Sequence, residues 1–166
     1  PIASVITRQL TDVDCYGNAS GEIDITYTSS PTVTQNTYNW VGPNSYASSS
    51  LDIINLQAGL YSLSIIENNI CTVTASYFVP EPQEILVGEV IQHVGCYSSA
   101  SLTISGGTPA YTVDWLGVNT QTLIAGIYNY SITDQNGCTF SDSILVQQQA
   151  LSANHTTTNV SCNGGN

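Results

Sequence analysis

Five cysteines are the residues of this chain whose chemistry follows most directly from their type and spacing. Cys15 and Cys96 each precede a tryptophan, Cys71 and Cys138 each follow one, and Cys162 stands near the end of the sequence. The chain has no CxxC pair and no cluster of cysteine with histidine, so the spacing does not fit a zinc site. It fits disulfide bonds, which form in oxidising compartments. We therefore expect an extracellular, disulfide-bonded protein.

Acidic residues near these cysteines raise the question of metal binding. Asp12 and Asp14 precede Cys15, and Asp134 and Asn136 lie shortly before the last cysteine of the repeated region. Their oxygens are ligands that calcium accepts, and extracellular modules bind calcium weakly. Aspartate and asparagine are also the residues that turns require. Both interpretations stay open, and the turn interpretation is favoured.

The cysteines belong to an internal repeat. LQAGLYSLSIIENNICT at 56–72 corresponds to LIAGIYNYSITDQNGCT at 123–139, with matching glycine, tyrosine, asparagine and cysteine positions. Self-similarity of this kind is typical of arrays of small domains. We predict a first β-sandwich unit at 1–81, a second at 82–147, and the start of a truncated third unit at 148–166.

Composition and charge exclude several classes of function. Twelve acidic residues against one basic residue give a formal net charge of −11. Nucleic-acid binding needs Lys and Arg to neutralise phosphates, so we expect no nucleic-acid partner. No apolar run of about 18 residues occurs, so we expect no membrane insertion. The two histidines, His93 and His155, have no nucleophile or acid in a recognisable catalytic arrangement, and we predict neither enzymatic activity nor a cofactor.

Apolar and polar residues alternate along much of the chain, and this alternation predicts the β-strands that position the cysteines and acidic residues. GEIDITYT at 21–28 alternates apolar and polar side chains, and many short runs of this kind between turn residues indicate an antiparallel β-sandwich. A further strand is expected at 120–124, and 45–50 is expected to be a polar loop. Asn136 and Gly137 predict a type I′ hairpin turn, because both central residues of that turn take positive φ.

The repeated LxAGxY segment has the features of an immunoglobulin-like corner. Gly59 or Gly126 would make the corner between two strands. Tyr61 or Tyr128 stands where a tyrosine corner is expected, with its hydroxyl bonded back to the corner backbone. The structural core that we predict comprises Trp40, Tyr61, Trp115, Tyr128, Gly59 and Gly126.

The number of strands decides which cysteines can pair. With six strands per unit, the turn after the first strand and the turn before the last lie at the same end, so Cys15–Cys71 and Cys96–Cys138 close within units. With seven strands these turns lie at opposite ends, and Cys15 approaches Cys138 of the following unit. We count six strands and favour pairing within units. Either pattern leaves Cys162 unpaired within this sequence, with its partner expected beyond the end of the chain.

The repeat resembles a known family, the SprB repeat. The resemblance lies in the order CYGNASGEI, an aromatic strand ending in tryptophan, and LxAGxYxxxIxxxxxC followed by threonine. SGGTPAYTVDW, LIAGIYNYSITDQNGCT and SILV of the second unit fit best, and SCNGGN fits the opening of a repeat. The first unit departs from the pattern in its enlarged loop at 41–50. The resemblance implies tandemly repeated cell-surface adhesins of Bacteroidota that are exported by the type IX system and take part in gliding.

Together these observations predict a structural segment of an extracellular or cell-surface fibre or adhesin, acting as a stalk or filament. Its partners would be neighbouring repeats or subunits of the same fibre. The alternative is a carbohydrate-binding adhesin module that uses the loop at 41–50 with Tyr46, with surface polysaccharide as partner. Ser143, in Asp142-Ser143-Ile144, matches the short O-glycosylation motif of Bacteroidota and is a candidate modification site.

Overall fold

The first unit is a sandwich of two antiparallel sheets. A computed structural model describes residues 5–29 and 31–148. The strands of the first unit are β1 (Val5–Thr11), β2 (Gly21–Thr28), β3 (Asn36–Val41), β4 (Ala47–Ser48), β5 (Ile53–Leu56), β6 (Gly59–Glu67) and β7 (Cys71–Val79). One sheet has the order β1-β2-β5 and the other the order β4-β3-β6-β7. A short turn at Pro43–Ser45, in which Asn44 takes a φ of 52°, joins β3 to β4.

The second unit is a smaller sandwich with the same plan. Its strands are β8 (Leu86–Val94), β9 (Tyr97–Ser105), β10 (Thr112–Asp114), β11 (Gly126–Thr133) and β12 (Thr139–Val146). They form a β8-β9 sheet and a β10-β11-β12 sheet. In the described part of the chain, no helix is long and apolar enough to cross a membrane.

The strand expected at 120–124 does not form. Leu123 makes a single antiparallel bridge to Ser98, with both backbone bonds of the pair at 2.8 Å. Two consecutive turns, in which Val118 donates to Trp115 and Thr122 to Asn119, take up the residues that a longer strand would need. The segment is therefore joined to β9 at two points, the Leu123–Ser98 bridge and the carbonyl of Thr120, which accepts from the N–H of Ala100 at 2.9 Å.

Period-two burial confirms the predicted all-β, antiparallel sandwich architecture. Gly21, Ile23 and Ile25 of β2 are buried and the residues between them are exposed. In β11, Tyr130 and Ile132 are buried while Asn129 is exposed. Alternate side chains of these two strands therefore enter the space between two sheets, as a half-buried strand requires.

The buried apolar side chains form two separate clusters. The first is larger and comprises Val13, Ile23, Ile25, Trp40, Ile53, Leu56, Tyr61, Leu63, Ile65, Tyr77 and Val79. The second comprises Ile85, Ala100, Leu123, Tyr130, Ile132, Ile144 and Val146. Each unit thus has its own core, and the second core is the smaller of the two.

The two tryptophans differ in burial, which corrects the expectation that both are central core residues. Trp40 is fully buried, because β3 lies between β4 and β6 in its sheet. Trp115 is only partly buried, since it follows the short edge strand β10. Tyr130 occupies the buried position in the second unit, with its ring centroid 5.2 Å from that of Trp115. Tyr128 is likewise partly buried against this cluster.

The hairpin turns also differ from the prediction. Asn68 and Asn69 both take positive φ, 49° and 58°, and therefore form the type I′ turn between β6 and β7. Between β11 and β12, Gly137 has a φ of 86° whereas Asn136 does not take positive φ. Gly137 donates to the carbonyl of Asp134 at 3.1 Å, as in a three-residue loop closed by a glycine bulge. The type I′ turn predicted at Asn136-Gly137 is wrong.

The corner glycines provide a matched test of the two units. Gly59 has a φ of 142°, and a Cβ atom there would overlap the ring of Pro43, whereas a Cβ on Gly126 would meet only the ring of Tyr128 at 3.7 Å. Gly59→Ala should therefore lower the free energy of unfolding by about 1–3 kcal/mol, and Gly126→Ala should leave it nearly unchanged. Thermal or urea unfolding measures both. Equal losses in the two variants would contradict this account of the corner.

Candidate functional site

A disulfide bond joins the two units. Cys15 of the first unit is bonded to Cys138 of the second, with a Cα–Cα distance of 5.6 Å and a sequence separation of 123. The pairing within units that the sequence analysis favoured, Cys15–Cys71 and Cys96–Cys138, is therefore not the one formed. Within the described residues, Cys71 and Cys96 form no disulfide bond, and both are exposed. Cys162 lies outside the described residues.

The seventh strand explains this pairing. Residues expected in a polar loop form β4, which pairs Ser48 with Trp40 of β3. Seven alternating strands place Cys15, after β1, at the end of the sandwich opposite to Cys71, which begins β7. The nine residues of β7 separate these ends by about 26 Å, at ~3.3 Å per residue. A disulfide requires Cα atoms within about 7 Å, so Cys15 cannot reach Cys71.

The linker between the units is hydrogen-bonded to the loop that carries Cys15. Val13 donates its backbone N–H to the carbonyl of Pro80 at 3.0 Å. Gly17 donates to Oε2 of Glu81 at 2.7 Å. Glu81 was not predicted as a functional residue, because its only signal in the sequence is its position between two prolines. Two backbone groups of one loop thus hold the linker where it leaves β7.

The carboxylate of Asp14 organises the Cys15 loop. Its Oδ1 accepts hydrogen bonds from the Ser20 hydroxyl at 2.5 Å, from Nδ2 of Asn18 at 3.0 Å and from the backbone N–H of Cys15 at 2.7 Å. The bonds from Ser20, Asn18 and Cys15, in that order, hold the pKa of Asp14 below its ordinary value. The charged carboxylate therefore shapes the loop that presents the cysteine.

Asp134 plays the same part on the other side of the junction. Its side chain is only 5% exposed. Its Oδ1 accepts hydrogen bonds from the backbone N–H groups of Asn136 and Cys138, both at 2.9 Å. Its Oδ2 accepts one from the backbone N–H of Thr108 at 2.8 Å. Burial acts to raise the pKa of Asp134, but the backbone donors outweigh it and the pKa lies below its ordinary value. The carboxylate thus holds the turn that carries Cys138.

The candidate calcium ligands are drawn together only in part. Asn136 donates from Nδ2 to the backbone carbonyl of Asp14 at 3.1 Å, which adds a polar contact across the junction. Asp12 is exposed. Among residues 5–29 and 31–148, no group of three or more His, Cys, Asp or Glu side chains is placed to hold a metal ion. The hydrogen bonds of Asp14 and Asp134 fit the turn interpretation of these residues.

A cleft of about 410 Å³ lies beside the bridge. Cys15 and Tyr16 line it from the first unit, and Ile85, Cys138 and Phe140 line it from the second. His93, considered above as a catalytic residue, lies elsewhere, with its Nδ1 2.7 Å from the hydroxyl of Ser98. His155 is outside the described residues. The cleft therefore belongs to the contact between units.

Both tyrosine corners form as the repeat predicts. The hydroxyl of Tyr61 donates to the carbonyl of Gln57 at 3.0 Å, and that of Tyr128 to the carbonyl of Ile124 at 3.0 Å. In the first unit Tyr46 packs edge-on against Tyr61, with ring centroids 5.3 Å apart. These contacts fix the turn that precedes β6 and β11.

Comparison with known proteins identifies no family. No family model matches the chain, and no curated protein matches it. Among solved structures, the three N-terminal domains of the Highly Immunogenic Outer Capsid protein (Hoc) of bacteriophage RB49 are similar to it, with 15% sequence identity and a TM-score of 0.43. The similarity covers 85% of this chain and 59% of that chain, so this chain spans little more than half of that structure.

Loss of the bridge should destabilise the oxidised protein. Cys138→Ser should lower the free energy of unfolding by about 2–5 kcal/mol, because a cross-link closing a long loop removes entropy from the unfolded chain. Cys71→Ser is the matched control and should stay within about 0.5 kcal/mol of the wild type. Urea unfolding gives both values, and non-reducing peptide mapping should recover Cys15 joined to Cys138. A Cys15–Cys71 peptide would contradict the assignment.

Acid should weaken the turn that holds Cys138. The pKa of Asp134 in the folded state lies below 3.8, so its carboxylate contributes stability in full above that pH and loses it as the pH falls through the folded-state value. Asp134→Asn should be less stable than wild type near neutral pH, and the difference should narrow below pH 3.8. Urea unfolding at a series of pH values tests this, with Asp12→Asn as the exposed control. A difference that stays constant with pH would refute it.

Proposed function

We propose that this chain is a structural segment of an extracellular or cell-surface fibre or adhesin, in which it acts as a stalk or filament. The observation that carries the proposal is the Cys15–Cys138 bond between two successive sandwiches. A binding or catalytic domain needs one stable unit, whereas a covalent bond between neighbouring units serves to fix their relation. Fixed relations between neighbours are what an extended, load-bearing element requires.

The non-covalent contacts at the junction support the same function. The linker is bonded to the Cys15 loop through Pro80 and Glu81. Three residues after Pro82 the chain enters the second core at Ile85, which is 8% exposed. A short linker with hydrogen bonds on one side and a buried residue on the other has little freedom to bend. The junction is therefore a semi-rigid one.

The bridge also defines how the chain carries tension. A pull on the two ends reaches Cys15 from one side and Cys138 from the other, and passes directly through the disulfide. Most of both sandwiches lies between these residues and is shielded from the load. Of the strands that the structure describes, β1 and β12 lie outside the closed loop.

The sequence supports the location and the type of protein. The resemblance to the SprB repeat, the disulfide bond and the polar, acidic composition together favour a cell-surface adhesin of Bacteroidota. Ser143 is exposed on β12, as a candidate O-glycosylation site must be. Gliding remains a property implied by the resemblance.

The carbohydrate-binding alternative has less support. Tyr46, the aromatic residue of the 41–50 loop, is partly buried and packs against Tyr61. Asn44 in the same loop donates to Oε1 of Gln57 at 2.6 Å. The loop residues that would stack on or bond to a sugar are thus engaged in internal contacts.

Pulling the whole chain from its ends by single-molecule force spectroscopy tests the stalk function. With the bridge intact, only the segments outside residues 15 and 138 should extend. Reduction should release about 400 Å more contour length, because the 123-residue separation extends by up to ~3.3–3.6 Å per residue. Cys138→Ser should behave like the reduced protein, and Cys71→Ser like the oxidised wild type.

Two results would argue against the stalk. Full extension of the oxidised protein would show that the load does not pass through the bridge. Glycan binding that is lost in Tyr46→Ala, in a protein that remains folded, would favour the carbohydrate-binding alternative.

A further inference from the structure

Two exposed cysteines lie at the ends of the described structure. Cys71 begins β7, at the end of the first unit that faces away from the bridge. Cys96 lies in the turn between β8 and β9, at the end of the second unit that faces away from the bridge. Both thiols are exposed. One therefore stands at each end of the pair of units.

Each of these two cysteines stands at the repeat position that is equivalent to one cysteine of the Cys15–Cys138 bond. In the repeat, Cys71 corresponds to Cys138, and both directly follow the turn of the last hairpin. Cys96 corresponds to Cys15, and both follow the first strand of their unit and precede a tyrosine. The pair thus consists of two complementary halves, and neither half has its partner unit among the described residues.

The surroundings of Cys96 match those of Cys15 in one further respect. A cleft of about 160 Å³ is lined by Cys96 together with Gln147 and Gln148, which leave the last strand of the second unit. At the formed junction, Cys15 shares its cleft with Pro82, which has left the last strand of the first unit. In both units the cysteine loop therefore lies beside the residues that leave the last strand of the unit.

Exposed apolar side chains flank both cysteines. Ile70, next to Cys71, is 83% exposed, and Val94, two residues before Cys96, is 74% exposed. Val13 has the same position relative to Cys15 as Val94 has to Cys96, and it is only 3% exposed. Val13 packs in the core of its own unit, whereas Val94 leaves an apolar side chain exposed beside Cys96.

We propose that Cys96 and Cys71 are the two halves of a further inter-unit disulfide, in which Cys96 of one copy of this chain bonds to Cys71 of a second copy placed head to tail. The second copy would dock its first unit on the second unit of the first copy, as the second unit docks on the first within the chain. The inference deepens the proposed function and rests on it.

Such a contact is heterologous, because one end of a chain meets the opposite end of another. Contacts of this kind do not close on themselves unless the rotation between copies forms a ring, so they generate linear polymers.

The bond requires a small-molecule disulfide, RSSR, as oxidant. The Cys96 thiolate attacks RSSR and releases one RS⁻; the Cys71 thiolate then attacks the mixed disulfide at the Cys96 sulfur and releases the second RS⁻. Two protein thiols are oxidised, and one RSSR is reduced to two RSH.

Oxidation of the purified chain with glutathione disulfide tests the proposal. The protein should carry Cys162→Ser, so that this cysteine cannot pair, and should retain its Cys15–Cys138 bond. Non-reducing electrophoresis should show a ladder of covalent dimers, trimers and longer species that reduction abolishes. Peptide mapping of the dimer should recover Cys96 joined to Cys71.

Single variants in the same background separate a head-to-tail bond from random oxidation. Cys71→Ser alone and Cys96→Ser alone should each lose all covalent species above the monomer, since neither retains both halves. An equal mixture of the two variants should give a dimer and nothing longer. Dimers in either variant alone, or Cys96–Cys96 and Cys71–Cys71 peptides in the parent, would overturn the proposal. The force measurement depends on the Cys15–Cys138 bond within one chain, so it is not affected by whether covalent oligomers form.

Discussion

The covalent bond between Cys15 and Cys138 is the constraint on which the rest of this structure depends. Each unit is small, and among the described residues the second has seven buried apolar side chains, fewer than the first. Small domains bury too little apolar surface to be very stable alone. A cross-link between residues 123 positions apart restricts the unfolded chain of both units at once. The stabilities of the two sandwiches are thereby coupled, and the smaller one benefits from its neighbour.

The two acidic turns at the junction explain how the cysteines are held ready for this bond. The backbone N–H of Cys15 donates to Asp14, and that of Cys138 donates to Asp134. Each carboxylate also receives other bonds from its own turn, so each half of the bridge is positioned by local structure before the units meet. The hydrogen bond from Asn136 to the carbonyl of Asp14 then joins the two turns directly. The negative charges of the two carboxylates thus order the backbone of the turns that carry the cysteines.

Much of the fold could be predicted from the sequence because its signals are local. The alternation in β2, and the tyrosine at the start of the last hairpin of each unit, depend on neighbours a few residues away. Strand number could not be predicted, since the two residues of β4 have no apolar alternation and pair only because β3 offers a free edge. With β4 the first unit has an odd number of strands, so Cys15 and Cys71 lie at opposite ends of it. Cys15 is therefore bonded to Cys138 and not to Cys71. The turn at Asn136 was mispredicted for a similar reason, because the side chain of Asp134 bonds the backbone of the loop and selects another turn.

The bridge makes residues 15 to 138 a closed ring of covalent bonds. A protease that cleaves one peptide bond within the ring opens it but leaves the two pieces attached to each other through the disulfide. Exposed loops such as Ser49-Ser50 could thus be cut without shedding any part of the molecule. Only cleavage before Cys15 or after Cys138 would divide it. A surface protein built in this way tolerates a first cut across most of its length.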